Sequence, residues 1–279
     1  MAQVTLSSTP AASHRLRRAR NRVPFWHVLW LVLAAIFFLA PIYSVVQFSL
    51  EGTLGAGTFH WYATVFKDPE FRSSFWLSIQ ISLETVGVSL VLMVPTVFWI
   101  HLRLPRLRPL MDLISILPFV VPPIVLIVGL APFLKDFSTW LFVRPEVLAF
   151  VYVVFALPFI YRSLDAGLRA IDLKTLVEAA ESLGSTIPRT LLQVILPNLR
   201  AAIIGGSLLT VAIAMGEFTV ASLMGFFTFP IYTYQQGTST AYEGVAVTFL
   251  SFILVWGAML ALYLLGRGGR GAAGVAITE

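Results

Sequence analysis

Uncharged, largely apolar runs follow one another along the chain at 28–50, 75–100 (broken only by Glu84), 113–134, 147–161, 201–242 (broken only by Glu217) and 245–265. About 20 apolar residues, rising about 1.5 Å each, cross the hydrocarbon core of a bilayer. The run at 147–161 is short for this, and 201–242 is long enough for one span plus a re-entrant or surface loop. The pattern predicts an all-α, polytopic membrane protein with six transmembrane helices. Trp26 and Trp30 open the first span and Trp76 and Trp99 bracket the second, as rings at headgroup depth do. Between these spans Phe59, Trp61, Tyr62, Phe66 and Phe71 predict a short helix on the outer surface, ended by Asp68-Pro69.

Composition agrees. The 279 residues are 58% hydrophobic and 12% charged, whereas about a quarter of a soluble domain is charged. Too little polar surface remains to cover a globule. Fifteen of the 19 basic residues fall on one side of the predicted spans, which predicts cytoplasmic amino and carboxyl ends. The expected organisation is a basic cytoplasmic tail over 1–24, one transmembrane domain over 25–267 with a cytoplasmic loop at 163–199, and a cytoplasmic tail over 268–279. The net charge of +5 comes mostly from the first tail. It reads as contact with anionic membrane lipid, not nucleic acid, because no basic face carries stacking aromatics.

Several chemistries drop out. Without cysteine there is no disulfide, thiolate metal site or thiol nucleophile. His14, His27, His60 and His101 are scattered over both membrane faces and form no metal cluster. Lys67, Lys135 and Lys174 lack the Gly-Lys-Ser/Thr context of a phosphate-cradling loop. The chain is therefore expected to hydrolyse no ATP by that route, to hold no cofactor and to be no enzyme.

Glu84 and Glu217 are the ionisable groups inside the spans. A charge at the bilayer centre costs about 2.5–3.5 kcal/mol on insertion scales, so each should face a bundle interior or a cavity. Both lie in the outer half of the membrane and could share one cavity wall. They read either as structural glue between helices or as contacts for a passing solute. Pro118, Pro122 and Pro123 break the third run, which a membrane tolerates only where protein or water satisfies the freed carbonyls. They mark a packing kink or a bend beside a translocation path. Gly205, Gly206 and Gly216 suit close helix packing.

The loop at 163–199 holds the most structured polar element. Thr175 and Glu178 are spaced as a capping box, and Leu173, Leu176, Val177, Ala180 and Leu183 give an apolar face at helical spacing. Gly184 suits a turn, Pro188 opens a second helix and Pro197 ends it. An amphipathic helix presenting small residues outside the membrane suits a partner's groove.

At these residues the chain resembles the permease subunits of binding-protein-dependent ABC importers of type I fold. That family's cytoplasmic signature is matched in spacing by Glu178, Ala179, Ala180, Gly184, Val194, Leu196 and Pro197, with Val194 standing where the family has Ile. The resemblance extends over about 55–265 and includes the proline-rich segment around Pro118 and Pro122 and Gly216-Glu217-Phe218. It implies that the hairpin docks on separate ATP-binding subunits and that the chain pairs with a second, identical or homologous permease. It also implies an extracytoplasmic solute-binding protein that delivers the solute. Two acids beside a cavity suit a cationic solute, which puts polyamine first; iron(III), phosphonate, thiamine or an oxyanion are the alternatives within this class. A proton-coupled transporter using Glu84 and Glu217 is the alternative outside it.

Overall fold

Proline positions decide where most of the helices begin and bend. The structure, a computed structural model, describes residues 25–50, 60–137, 139–239 and 241–267. The tails expected over 1–24 and 268–279 lie outside the described residues. By its contacts the chain divides into two compact units, Met1–Ser44 and Val45–Glu279, each described by itself. The first contains most of α1 (Phe25–Leu50). Its Trp30, Leu31, Phe37, Phe38 and Tyr43 are all exposed, an apolar surface on every side that suits lipid.

In the second unit α2 (His60–Lys67) is the short helix expected after the first span. Asp68 separates it from α3 (Pro69–Arg103): its Oδ1 accepts the Glu70 N–H at 2.8 Å, and Pro69 takes the first turn, where no donor is needed. A 3₁₀ turn at Pro105–Leu107 leads into α4 (Arg108–Val120), followed by α5 (Pro123–Phe137), α6 (Thr139–Phe142) and α7 (Val147–Arg169). A polar hairpin comes next, made of α8 (Leu173–Ser182), α9 (Ile187–Thr190), a π-helical turn at Leu191–Ile195 and α10 (Leu196–Asn198). The chain closes with α11 (Arg200–Gly216), α12 (Thr219–Met224), α13 (Phe229–Ser239) and α14 (Ala241–Arg267).

Four of these, α1, α3, α7 and α14, are long and apolar enough to cross a membrane alone; six spans are reached when each of two bent pairs counts as one. The third predicted span is such a pair, α4 and α5 meeting at 100°. Val121, which precedes Pro122, is held at φ −90°, ψ 117°. A residue before proline is pushed out of the helical region, so α4 must stop there, and Pro123 then starts α5. The second pair, Ile187–Asn198 and Arg200–Gly216, bends by 76°. Pro197 therefore does not end the second hairpin helix: the helix runs on to Asn198, and the turn falls at Leu199. The fourth span also differs from expectation. α7 continues from the short apolar run through Arg162, Asp165 and Arg169 as an amphipathic end, and it is the most buried of the four.

Three apolar clusters fill the second unit. Val97 and Phe98 of α3 meet Ile160, Leu164 and Leu168 of α7 beneath the hairpin. Ile81, Val151, Tyr152 and Ala214 pack where α3, α7 and α11 cross. Phe71, Met215, Phe229 and Tyr232 fill the third, near the start of α3. There the buried Ser78 hydroxyl accepts the Phe229 N–H at 2.9 Å, and the Tyr232 hydroxyl donates to Asp68 at 2.8 Å.

Glycine brings α7 and α11 together. A Cβ on Gly206 would lie 3.2 Å from Ile160 and Ser163, and one on Gly167 would lie 2.6 Å from the Ala202 Cβ. Gly205 has only ordinary contact with Ser163, and Gly216 has nothing within 4 Å, so the packing role expected of Gly216 is absent. Gly167→Ala should lower the thermal midpoint of the detergent-solubilised protein, because overpacking costs about 1–3 kcal/mol. Gly87→Ala, in helical backbone with nothing within 4 Å of the added atom, should raise the midpoint, alanine being favoured over glycine in a helix by up to about 1 kcal/mol. Equal midpoints for the two variants would remove the close-approach account.

Candidate functional site

The hairpin starts at Asp172, not at Thr175. Asp172 Oδ1 accepts the Thr175 N–H at 3.3 Å and its Oδ2 accepts the Thr175 hydroxyl at 2.7 Å. Thr175 is thus the third residue of α8, and the capping box expected between Thr175 and Glu178 does not form. The two bonds from Thr175 hold the Asp172 carboxyl below its ordinary value. At the far end Gly184 sits at φ 79°. Its N–H reaches the Glu181 carbonyl at 2.9 Å, and the Ser185 N–H reaches the Ala180 carbonyl at 3.0 Å. This double closure ends a helix on a left-handed residue, and glycine takes that conformation without a Cβ clash.

One face of the hairpin is seated and the other is bare. Leu173, Val177, Ala180, Ile195 and Leu199 are buried, most of them in the cluster with α3 and α7. Leu176, Leu191, Val194 and Leu196 pack partly against it. Glu178, Ala179, Gly184 and Pro197 are exposed, and Leu183 at the tip is 89% exposed. Leu183 was expected on the seated face. It instead lies one residue before the glycine turn and points away from the bundle, an apolar side chain left in water.

The second site is a cavity of about 340 Å³ at the bend between α4 and α5. Its lining includes Pro118, Pro122, Phe155, Phe159 and Glu217. Glu217 breaks the α11–α12 junction with an extended backbone (φ −77°, ψ 117°). Its carboxylate folds forward onto the start of α12, accepting the Val220 N–H at 3.0 Å on both oxygens and the Ala221 N–H at 3.3 Å on Oε2. The Tyr152 hydroxyl donates to Oε2 at 3.0 Å. The intramembrane acid thus has two backbone donors and a phenol as hydrogen-bond partners. Glu217, Pro118 and Pro122 share this cavity and Glu84 is not part of its lining. Glu84 instead accepts from Gln80 Nε2 at 2.8 Å, one turn earlier on α3. Glu84 and Glu217, which could have shared one cavity wall, do not share the lining of this cavity.

Residues 94–268 match the family described as binding-protein-dependent transport system inner membrane component. The chain belongs to this family. The match takes in the hairpin and the cavity together, and with the apolar helices it makes the chain a multi-pass inner-membrane protein of the type I ABC permease fold. The chain is 32% identical to the spermidine/putrescine transport system permease protein PotB of Escherichia coli (strain K12), over 57% of this chain and 62% of that protein. It therefore spans less than two thirds of that relative. It is 25% identical to the putrescine transport system permease protein PotI of the same strain, over 87% of this chain and 91% of the relative. The probable sulfate transport system permease protein cysT of Nephroselmis olivacea is 27% identical, over 86% and 88%.

Two partners in these sites escaped sequence reasoning. The spacing Asp172-x-x-Thr175 is itself a cap signal and was legible. Tyr152 lies 65 residues from Glu217, and no local pattern announces that pairing. For the cap the sign of the pH effect is fixed. A lowered folded-state value means that stability is fully present above the unfolded value and is lost as pH falls through the folded one. Hydrogen exchange at the Thr175 and Leu176 amides, corrected for intrinsic rate, should accelerate on that acid limb in the native chain. In Asp172→Ala it should already be fast at neutral pH, whereas an unchanged rate would show that the cap does not hold α8.

Proposed function

We propose that the chain is the membrane-crossing permease subunit of an ATP-driven importer, with both ends and the hairpin on the cytoplasmic side and residues 25–267 as its membrane part. ATP hydrolysis belongs to separate ATP-binding subunits. The hairpin from Glu178 to Pro197 docks in a groove on one of them. A second permease, identical or homologous, completes the path, and an extracytoplasmic binding protein supplies the solute. The observation that carries this reading is the two-faced hairpin: its apolar residues are seated on α3 and α7, while its tip offers a bare leucine beside a glycine turn. An exposed leucine in water favours burial against a partner by about 1.5–3 kcal/mol.

Polyamine is the solute the relatives and the cavity favour together. A methylene chain with ammonium ends suits a pocket of Phe155, Phe159 and proline with one carboxylate, by apolar contact and cation–π attraction. Among the described residues Glu217 Oε1 accepts the Val220 N–H alone, which leaves acceptor capacity for an ammonium. The sulfate-permease relative keeps an oxyanion as the second reading.

In a complex purified through the ATPase, Leu183→Asp, Glu178→Lys and Gly184→Trp should each lose most of the permease while membrane insertion continues. Retention of all three at native yield would sink the docking proposal. Glu217→Gln keeps an acceptor for the Val220 N–H but removes the charge. It should cut spermidine and putrescine uptake at least about tenfold if charge is used, one tenfold step being about 1.4 kcal/mol. Unchanged uptake assigns Glu217 to capping alone.

A further inference from the structure

A second cavity, of about 360 Å³, lies where the ends of α3 and α7 meet the starts of α4 and α8. Four nitrogen-bearing side chains line it, His101, Arg108, Arg169 and Lys174, over an apolar floor that includes Ile171 and Leu173. Two carboxylates act on this group: Asp112, whose charge reaches Arg169, and Asp165. Asp165 is engaged on Oδ2 by Arg169 Nε at 2.9 Å, and its Oδ1 lies 3.0 Å from His101 Nε2 with no hydrogen bond formed among the described residues. His101 Nδ1 lies 3.0 Å from the Val97 carbonyl, so Nε2 can donate to Asp165 only when the ring carries both protons. Arg108 is left over. Its Nε is buried and has no hydrogen-bond partner among the described residues. Three permanent cations therefore meet two carboxylates, Asp165 and Asp112, and the buried Arg108 donor stands without an acceptor among the described residues.

We propose that this cavity binds the phosphate of an anionic phospholipid headgroup. The position suits lipid. Trp99, half-exposed, marks headgroup depth one turn before the cavity on α3. Leu104, Leu107, Leu110 and Leu113 are exposed beside Arg108 and offer an apolar track for the acyl chains. Basic pockets between helices on the cytoplasmic side suit such headgroups, and each nearby cation contributes about 1 kcal/mol. Arg108 and Arg169 supply forked donors for phosphate oxygens and Lys174 a point charge. The headgroup would brace the first turn of α8, because Leu173 and Lys174 open that helix. The inference rests on the orientation proposed above, since anionic lipid must be present on the hairpin side.

The test is lipid retention by the intact transporter in neutral detergent, read by native mass spectrometry and thermal midpoint. The probes are phosphatidylglycerol, phosphatidylcholine and inorganic phosphate. Phosphatidylglycerol should be retained and raise the midpoint, phosphatidylcholine should do neither, and inorganic phosphate should fail to displace the bound lipid. Arg108→Gln and Lys174→Gln should each weaken phosphatidylglycerol binding about fivefold, the effect of one lost cation at about 1 kcal/mol. Arg108→Lys should restore part of it, so a folding defect is separable from a lost contact. Leu183→Asp should leave lipid retention unchanged, so the docking proposal and this one fail independently. Equal retention of phosphatidylcholine, or displacement of the lipid by inorganic phosphate, overturns the proposal. So does an Arg108→Gln variant that keeps its lipid and loses the ATPase subunit, which would give the cavity to a protein interface.

Discussion

The seating of Leu173, Val177, Ile195 and Leu199 against Val97, Phe98, Ile160 and Leu164 is the contact on which the rest of the structure turns. Inside a bilayer apolar burial yields little, because lipid tails are as apolar as leucine, and helices there associate through close packing and hydrogen bonds. The hairpin lies outside the apolar runs, where water makes burial of each large apolar side chain worth about 1.5–3 kcal/mol. Here, at its water-facing end, the bundle can use the hydrophobic effect at full strength.

Along the α7–α11 seam the same chain relies on other devices. Gly167 and Gly206 let α7 and α11 approach to backbone contact, and the Ser163 hydroxyl donates to the Ala202 carbonyl at 2.6 Å across the same seam. Where backbone leaves the helical path, its polar groups find specific partners. The best example is the α11–α12 junction, where the Glu217 carboxylate takes the donors that α12 leaves open. Its desolvation is compensated by these bonds and by Tyr152. The acid is thus a structural cap first, and whatever it does for a solute it does with the capacity that remains on Oε1.

Helix content, the apolar spans and the hairpin were legible in the sequence, because each rests on local chemistry. Run length gives the spans, and Gly184 and Pro188 punctuate the hairpin as their backbone limits require. The proline break in the third span was legible as an interruption, but not as a 100° bend, since the angle depends on what α4 and α5 pack against. α7 looked too short because hydropathy ends where its charged turns begin, and those turns stay helical on contacts with α3 and the hairpin. Pairings across the fold were not legible. Tyr152 with Glu217, and His101 with Asp165, join residues that no sequence period relates.

Both ends of α11 are bends, 76° at Leu199 and an extended residue at Glu217, and between them the helix is fused to α7 by glycine contacts. α7 in turn carries Leu164 and Leu168 in the hairpin seat and Phe155 and Phe159 in the cavity wall. The hairpin and the cavity are therefore joined by one helix pair that is stiff in its middle and jointed at its ends. Val177 of the hairpin and Leu164 of α7 belong to one packed cluster, and α7 runs on from it to the cavity wall. Packed interiors have low compressibility, and the backbone leaves the straight helical path only at the two ends of α11. The two hinges sit where the sequence places a proline in the turn before Leu199 and an acid in place of a helix continuation. Both are residues that a simple span would exclude, and the jointed pair gives each a mechanical reason to be there.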